Sequence, residues 1–187
     1  MISFTTETSF YDPHLHRDHR RNDRENLLGT KRVVVNVACK IQRYLDQLHL
    51  PDCQTFVVPL MNKDSLEMTD ADRQKLLETV EALLPHNAPI IVTHGTDTMV
   101  ESGLHLKAGL RRVPVPIVFT GAMTPLGFEA SDGLQNLTQS LFAVRLLPTG
   151  IWVVVHNRAF PIDRVRKDHE KAGFVWLDPA NGPRRIY

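Results

Sequence analysis

Cysteine is scarce in this chain, with only Cys39 and Cys53 among 187 residues and no Cys-x-x-Cys pair. A disulfide scaffold, a thiolate zinc site and a dithiol redox couple are excluded, which makes a reducing compartment the default expectation. Neither sign of charge is in excess: 22 Lys and Arg stand against 21 Asp and Glu, a formal charge of +1. No global field draws the chain to nucleic acid or a membrane surface, so neither is expected as a partner, whereas a small-molecule substrate stays open. No apolar run approaches the roughly 20 residues a membrane span needs. The first residues lack the apolar stretch of a secretory signal, and the expected location is the cytoplasm. Internal repeats and low-complexity tracts are also missing. The length suits one compact domain and is too short for two full ones.

From about residue 52 a regular rhythm sets in. Short Val- and Ile-rich runs at residues 56–61, 89–93, 116–120 and 151–156 are close to continuously apolar, as strands covered on both faces tend to be. Between them, residues 69–84, 98–110 and 131–147 carry apolar side chains at three- and four-residue spacing, the mark of amphipathic helices. Thr69 or Asp70 is the expected N-cap of the first, with Asp72 in its opening turn. Strands alternating with helices predict an α/β domain, a three-layer parallel sheet with crossover helices. Ligands of such sheets bind beyond the carboxyl ends of the strands, which selects the loops at residues 62–68, 94–98, 121–127 and 157–167.

Residues 1–32 break the pattern. They hold His14, His16 and His19 and five arginines (Arg17, Arg20, Arg21, Arg24 and Arg32), with no apolar periodicity before Val33. Composition alone predicts a polar arm. The His-Leu-His-Arg-Asp-His run has no second ligand group beside it, and no metal site is expected.

Four segments stand at predicted strand ends. In Thr-His-Gly-Thr-Asp-Thr, Gly95 allows a tight turn and close approach of a ligand, while Thr96 and Asp97 offer a hydroxyl and a carboxylate to one small molecule. The bland alternative is that Thr96 or Asp97 caps the next helix. Lys-Asp-Ser-Leu-Glu-Met, containing Ser65 and Glu67, offers a hydroxyl and backbone N–H groups to a carboxylate, or is simply a capped turn. Thr-Gly-Ala-Met-Thr-Pro, containing Ala122, precedes Ser131-Asp132-Gly133 and a helix with Asn136; here the alternative is a tight turn plus a cap. Asp-Arg-Val-Arg-Lys, ending at Lys167, is by default a solvated basic face.

Together the four resemble the L-asparaginase family, and within it the short, single-domain bacterial branch. The runs THGTDT, MNKDSLEMTD, TGAMTP with SDGLQNL, and FPIDRVRK follow the family's order across about residues 33–178. The resemblance implies an asparaginase-like α/β domain over residues 33–187. It implies hydrolysis of asparagine to aspartate and ammonia, no cofactor or metal, and a homodimer or homotetramer. By motif match Thr96, Asp97 and Lys167 form the catalytic group, Lys167 activating a hydroxyl and Asp97 holding the substrate's ammonium. Ser65 receives the α-carboxylate, Glu67 lies near the ammonium, Gly95 lets the substrate approach, and the backbone at Ala122 contacts the side-chain amide.

One family element is missing as written: the Thr-Gly-Gly-Thr motif on a first apolar strand, which supplies the nucleophile. Residues 15–32 read LHRDHRRNDRENLLGTKR. Codons permitted for them, read one nucleotide later, spell Phe-Ile-Val-Ile-Thr-Gly-Gly-Thr-Ile-Glu-Lys-Ile-Tyr-Trp-Glu-Arg-Ser-Gly, an apolar strand running into that motif. The expectation is a frame displacement that begins before Leu15 and ends near Val33–Asn36, leaving an impaired hydrolase. Its competitor is a catalytically dead aspartate- or asparagine-binding protein. Thr5, Thr6 and Thr30 are weak substitute nucleophiles; Thr30 follows Gly29 but precedes Lys31 and Arg32 and does not end an apolar strand.

Overall fold

The computed structural model describes residues 2–5, 37–51, 53–126 and 128–178. The readings made for the rest of residues 1–36, including the frame displacement over residues 15–32, Thr6 and Thr30, lie outside the described residues.

Six strands form one sheet in the order β2-β1-β3-β4-β5-β6. They are β1 (Ile2–Thr5), β2 (Gln54–Val57), β3 (Ile90–Thr93), β4 (Pro116–Thr120), β5 (Gly150–Val155) and β6 (Arg158–Pro161). Helices α1 (Val37–Leu45), α2 (Asp70–Leu83), α3 (Met99–Gly109) and α4 (Gly133–Ala143) connect or cover them, and a separate ribbon pairs β7 (Val165–Asp168) with β8 (Gly173–Trp176). Thr69 caps α2 in a reciprocal box with Asp72, as the sequence predicts.

The three layers follow from strand alternation. Ile90 and Val92, Ile117 and Phe119, and Ile151, Val153 and Val155 point to one face, where Leu76, Leu77 and Val80 of α2 and Met99 and Leu106 of α3 cover them. The intervening Ile91, Val118 and Val154 point to the other face and meet Ile41 and Leu45 of α1 and Leu137 and Leu141 of α4. Each such side chain, fully buried, contributes about 1.5–3 kcal/mol, so β3, β4 and β5 form the frame on which the loops are mounted.

The expected parallel sheet is corrected to a mixed one. Only β3–β4 and β4–β5 are parallel, whereas β1 runs antiparallel to both β2 and β3 and β6 runs antiparallel to β5. The β5–β6 connection is His156-Asn157 alone, too short for a crossover and long enough only for a hairpin. Strand β1 pairs with β3 only at Ile90 and Ile91, so Val92 and Thr93 have no ladder partner on that side among the described residues. Strand β2 also starts and ends earlier than the 56–61 run predicts, and residues 58–61 continue from it as irregular chain.

Candidate functional site

Beyond the carboxyl ends of β2, β3 and β4 lies a cleft of about 620 Å³. Ser65, Gly95, Thr96, Asp97, Ala122 and Lys167 all line it. Glu67 does not: it is exposed at the end of a short 3-10 turn, Ser65–Glu67, and Lys63 and Asp64 are the charged residues of that segment on the cleft wall. Ile41 and Leu137 from one helical layer and Leu76 from the other reach the same cleft, which therefore draws its lining from both faces of the sheet.

Missing side chains allow the loops to meet. A Cβ on Gly95 would fall 2.5 Å from Ser65 Oγ and 2.7 Å from Ser65 Cβ, so only glycine lets the Ser65 turn seat against the end of β3. Thr98 then closes the junction, its hydroxyl donating to the Ser65 carbonyl at 2.7 Å. A Cβ on Gly121 would lie 2.1 Å from the His94 carbonyl oxygen, which fastens the β4 loop to the β3 loop backbone to backbone. The close neighbour at Gly95 is the Ser65 turn.

Lys167 arrives from a distant part of the chain. Gly103 in α3 leaves room for Ile162, whose Cδ1 would be 2.3 Å from a Cβ there. The 3-10 turn Ile162–Arg164 seats on that gap, buried through Ile162, and Val165 follows it into the core. Two residues on, Lys167 Nζ donates to Thr96 Oγ1 at 2.8 Å and to Asp97 Oδ1 at 2.6 Å. The Thr96 residue is 5% exposed and the Lys167 side chain 14%. A hydroxyl, an amine in reach of it and a carboxylate orienting the amine is the arrangement by which a weak oxygen nucleophile is activated.

The bland readings of these residues divide. Thr98 stands at the N-cap of α3 with no side-chain cap bond, and neither Thr96 nor Asp97 caps that helix. Their side chains go to Lys167 instead, which also takes Lys167 out of a merely solvated face. At the Ser65 segment the capped turn is real: Asp64 accepts from Leu66 N–H, and Lys63 pairs with Asp72 of the capping box at 2.7 Å. The hydrogen bonds to Asp72 from Lys63 and then Thr69 hold its carboxyl well below the usual carboxylate range. The N-terminus of α2 is thus occupied by its own side chains, and Ser65, 3% exposed, is what remains for a ligand.

His94, two residues before Thr96, has a structural place. Its Nδ1–H donates to the Gly95 carbonyl at 2.7 Å, so Nε2 accepts from the buried Ser102 hydroxyl at 2.9 Å; the tautomer is assigned from these partners. Burial, reinforced by the Arg73 charge, keeps the ring easier to deprotonate than a free histidine despite the Gly95 carbonyl.

A polar hub that sequence reasoning touched only as a cap joins β4, α4 and β5. The Asp132 carboxylate accepts from Thr124 N–H at 3.0 Å, Met123 N–H at 3.2 Å, Asn136 Nδ2 at 2.9 Å and His156 Nε2 at 2.7 Å. Fully buried Asn136 also donates to the Gly121 carbonyl and accepts from His156 N–H, both at 2.9 Å. Burial raises the Asp132 pKa, but the Thr124 and Met123 amides and the His156 ring together bring it below its ordinary value. No group of three or more His, Cys, Asp or Glu among the described residues is arranged to hold a metal ion.

Fold and site define a three-layer α/β domain with a threonine-centred polar cluster at the carboxyl edge of its sheet. The family model described as Asparaginase, N-terminal matches residues 22–174, and this chain belongs to that family. L-asparaginase 1 of Escherichia coli (strain K12) is 30% identical over 157 residues, 80% of this chain and 46% of the relative, so the chain spans about half that relative's length. The solved structure of the thermostable L-asparaginase from Thermococcus kodakarensis superposes with a TM-score of 0.60 at 30% identity, covering 66% of this chain and 37% of that one. A probable cytoplasmic L-asparaginase from Campylobacter jejuni superposes with a TM-score of 0.58 at 26% identity, over 64% and 38% of the respective chains. No helix among the described residues is long and apolar enough to cross a membrane.

Proposed function

We propose that this site hydrolyses the side-chain amide of asparagine, giving aspartate and ammonia. One observation carries the reading: Thr96, Lys167 and Asp97 are linked at 2.8 and 2.6 Å on a cleft wall that also presents Ser65 and the Ala122 backbone. The second Asp97 oxygen receives the substrate ammonium, and the Ser65 hydroxyl with the loop N–H groups receives the α-carboxylate. Lys167, once it has lost a proton, takes one from the attacking hydroxyl as the oxygen–carbon bond forms. It returns that proton to the amide nitrogen as the carbon–nitrogen bond breaks and ammonia departs, leaving an ester on the hydroxyl. Water, giving a proton to Lys167, then attacks the ester carbon, the bond to the enzyme oxygen breaks with return of that proton, and aspartate leaves. Glu67, exposed outside the cleft wall, is assigned no part in this scheme.

The attacking oxygen is the threonine of the Thr-Gly-Gly-Thr motif that codons permitted for residues 15–32 spell in the shifted frame, and the chain as written lacks it. Antiparallel β1 fills the place between β2 and β3 only as far as Ile91, and the edge of β3 left at Val92 and Thr93 on the cleft wall supports the reading that a strand carrying the motif is absent there. That absence also favours a second reading, in which this chain grips aspartate without turning asparagine over. A cytoplasmic location is supported by the Campylobacter jejuni neighbour's description, and a homodimer or homotetramer by the family resemblance alone.

Ammonia release from L-asparagine, measured on this chain and on one carrying the shifted-frame sequence in place of residues 15–32, tests the proposal beside calorimetry with L-aspartate. Aspartate binding by both chains, with turnover raised by about three orders of magnitude or more in the second, is expected. Binding with no turnover by either chain selects the second reading, and no binding by either overturns both.

A further inference from the structure

We propose that Asp132 and His156 are a positioning pair for the Ala122 turn, locking residues 121–124 so that the Ala122 backbone faces the ligand. The inference rests on the proposed amidohydrolase site and extends it to residues outside the cleft wall.

The bonding within the turn is selective. The Gly121 carbonyl is held by Asn136, the Met123 and Thr124 N–H groups by Asp132, and the Thr124 carbonyl by the Ser131 hydroxyl at 2.7 Å. Ala122, between them, makes no hydrogen bond among the described residues and lies on the cleft. Four of the neighbouring groups are thus taken by α4 or the segment leading into it, whereas neither Ala122's N–H nor its C=O is bonded among the described residues. A side-chain amide needs one of each.

His156 extends this clamp to β5, at a cost to the backbone. It and Asn157 are the two central residues of the β5–β6 hairpin, with φ of 51° and 58°, the left-handed pair that a two-residue hairpin requires. Asparagine and glycine suit those positions best; a histidine there carries a Cβ penalty. The penalty accompanies a specific contact, Nε2 donating to Asp132 at 2.7 Å, while Asn136 and Gln139 of α4 hold the two turn N–H groups at 2.9 and 2.6 Å. All four groups around the Asp132 carboxylate are donors, so an amide of the same shape cannot serve: whichever way Asp132→Asn is oriented, its NH2 meets another N–H.

Two substitutions separate positioning from general stabilisation, because they move stability and geometry in opposite directions. His156→Gly relieves the left-handed strain and removes the donor; His156→Gln keeps both the strain and an Nε2 donor of similar reach. The measurements are thermal unfolding, amide exchange at Ala122, Met123 and Thr124, and calorimetric titration with L-aspartate. In His156→Gly we expect a Tm no lower than in His156→Gln. We also expect turn amides exchanging about tenfold faster and aspartate bound about fivefold more weakly, with His156→Gln near the parent in both. Unchanged exchange and affinity in His156→Gly overturn the proposal, as does faster exchange with unchanged affinity. If the parent chain does not bind aspartate, the proposed activity fails, and the amide exchange alone decides whether the pair locks the turn.

Discussion

Replacing Gly95 by alanine tests the central structural claim, that the Ser65 turn and the end of β3 share space only because one residue has no side chain. The added Cβ would stand 2.5 Å from Ser65 Oγ and 2.7 Å from Ser65 Cβ, about an ångström inside ordinary contact. Rotating the serine relieves the first overlap and leaves the second, so the whole 3-10 turn must retreat and draw the Ser65 carbonyl away from Thr98 Oγ1 at 2.7 Å. Overpacking of this kind costs about 1–3 kcal/mol and the lost hydrogen bond about 1 kcal/mol. The sum of about 2–4 kcal/mol is a fall in Tm of roughly 5–15 °C for a chain of this size. Removing the other partner restores room, since Ser65→Gly deletes both opposing atoms. The double variant Gly95→Ala/Ser65→Gly is therefore expected to recover about 1–3 kcal/mol relative to the sum of the single changes. Thermal and urea unfolding of the four proteins measure the coupling. Additive effects would show that Ser65 is not what Gly95 makes room for, and the account of how the two loops form one site would be wrong.

Two further outcomes are open to measurement. Lys167→Met, in the chain carrying the shifted-frame sequence, is expected to lower asparagine turnover by about 10²–10⁴ while changing aspartate affinity by less than about fivefold, because Asp97 keeps its charge for the ligand's ammonium. A fall in affinity as large as the fall in rate, by kinetics and calorimetry side by side, would show that Lys167 serves binding alone. His94 ties stability to pH: its folded pKa lies below the usual histidine value, so below about pH 6.5 the unfolded chain takes up a proton that the folded chain resists. Its contribution is complete above that pH and is lost as the pH falls, with a limiting slope of about 1.4 kcal/mol per pH unit. His94→Gln is expected to flatten urea-unfolding stability between pH 6.5 and 5, and an unchanged slope would place the dependence elsewhere.

What could be read without coordinates was whatever is written locally. The strand over residues 116–120 coincides with β4, and β3 and β5 fall within a residue of their apolar runs, because strands covered on both faces need continuous apolar sequence. The 69–84 period yields α2 within a residue at each end, since its start is fixed by a capping box inside four residues of sequence. Strand direction was not legible where pairing rather than connection sets it. Four residues at Ile2–Thr5 and the Arg-Ala-Phe-Pro of β6 carry too little pattern to announce a strand, let alone its sense. Strand β2 was misplaced because Val58 and Leu60 are apolar for the cleft and core they touch, with no ladder to extend.

The site was legible as residues and illegible as contacts. Thr96 and Asp97 are adjacent in sequence, but what draws their side chains away from a helix cap is Lys167, some seventy residues on, and what carries Lys167 there is the fit of Ile162 against Gly103. In the same way Asp132 reads as an N-cap and His156 as an ordinary strand end, until the hairpin brings Nε2 within 2.7 Å of the carboxylate. Both long-range contacts end on loops that glycines 95 and 121 hold together at the tip of β3. The chemistry rests on packing made possible by missing side chains, which is why a motif of glycines and small polar residues can mark a site whose remaining members lie far away in sequence.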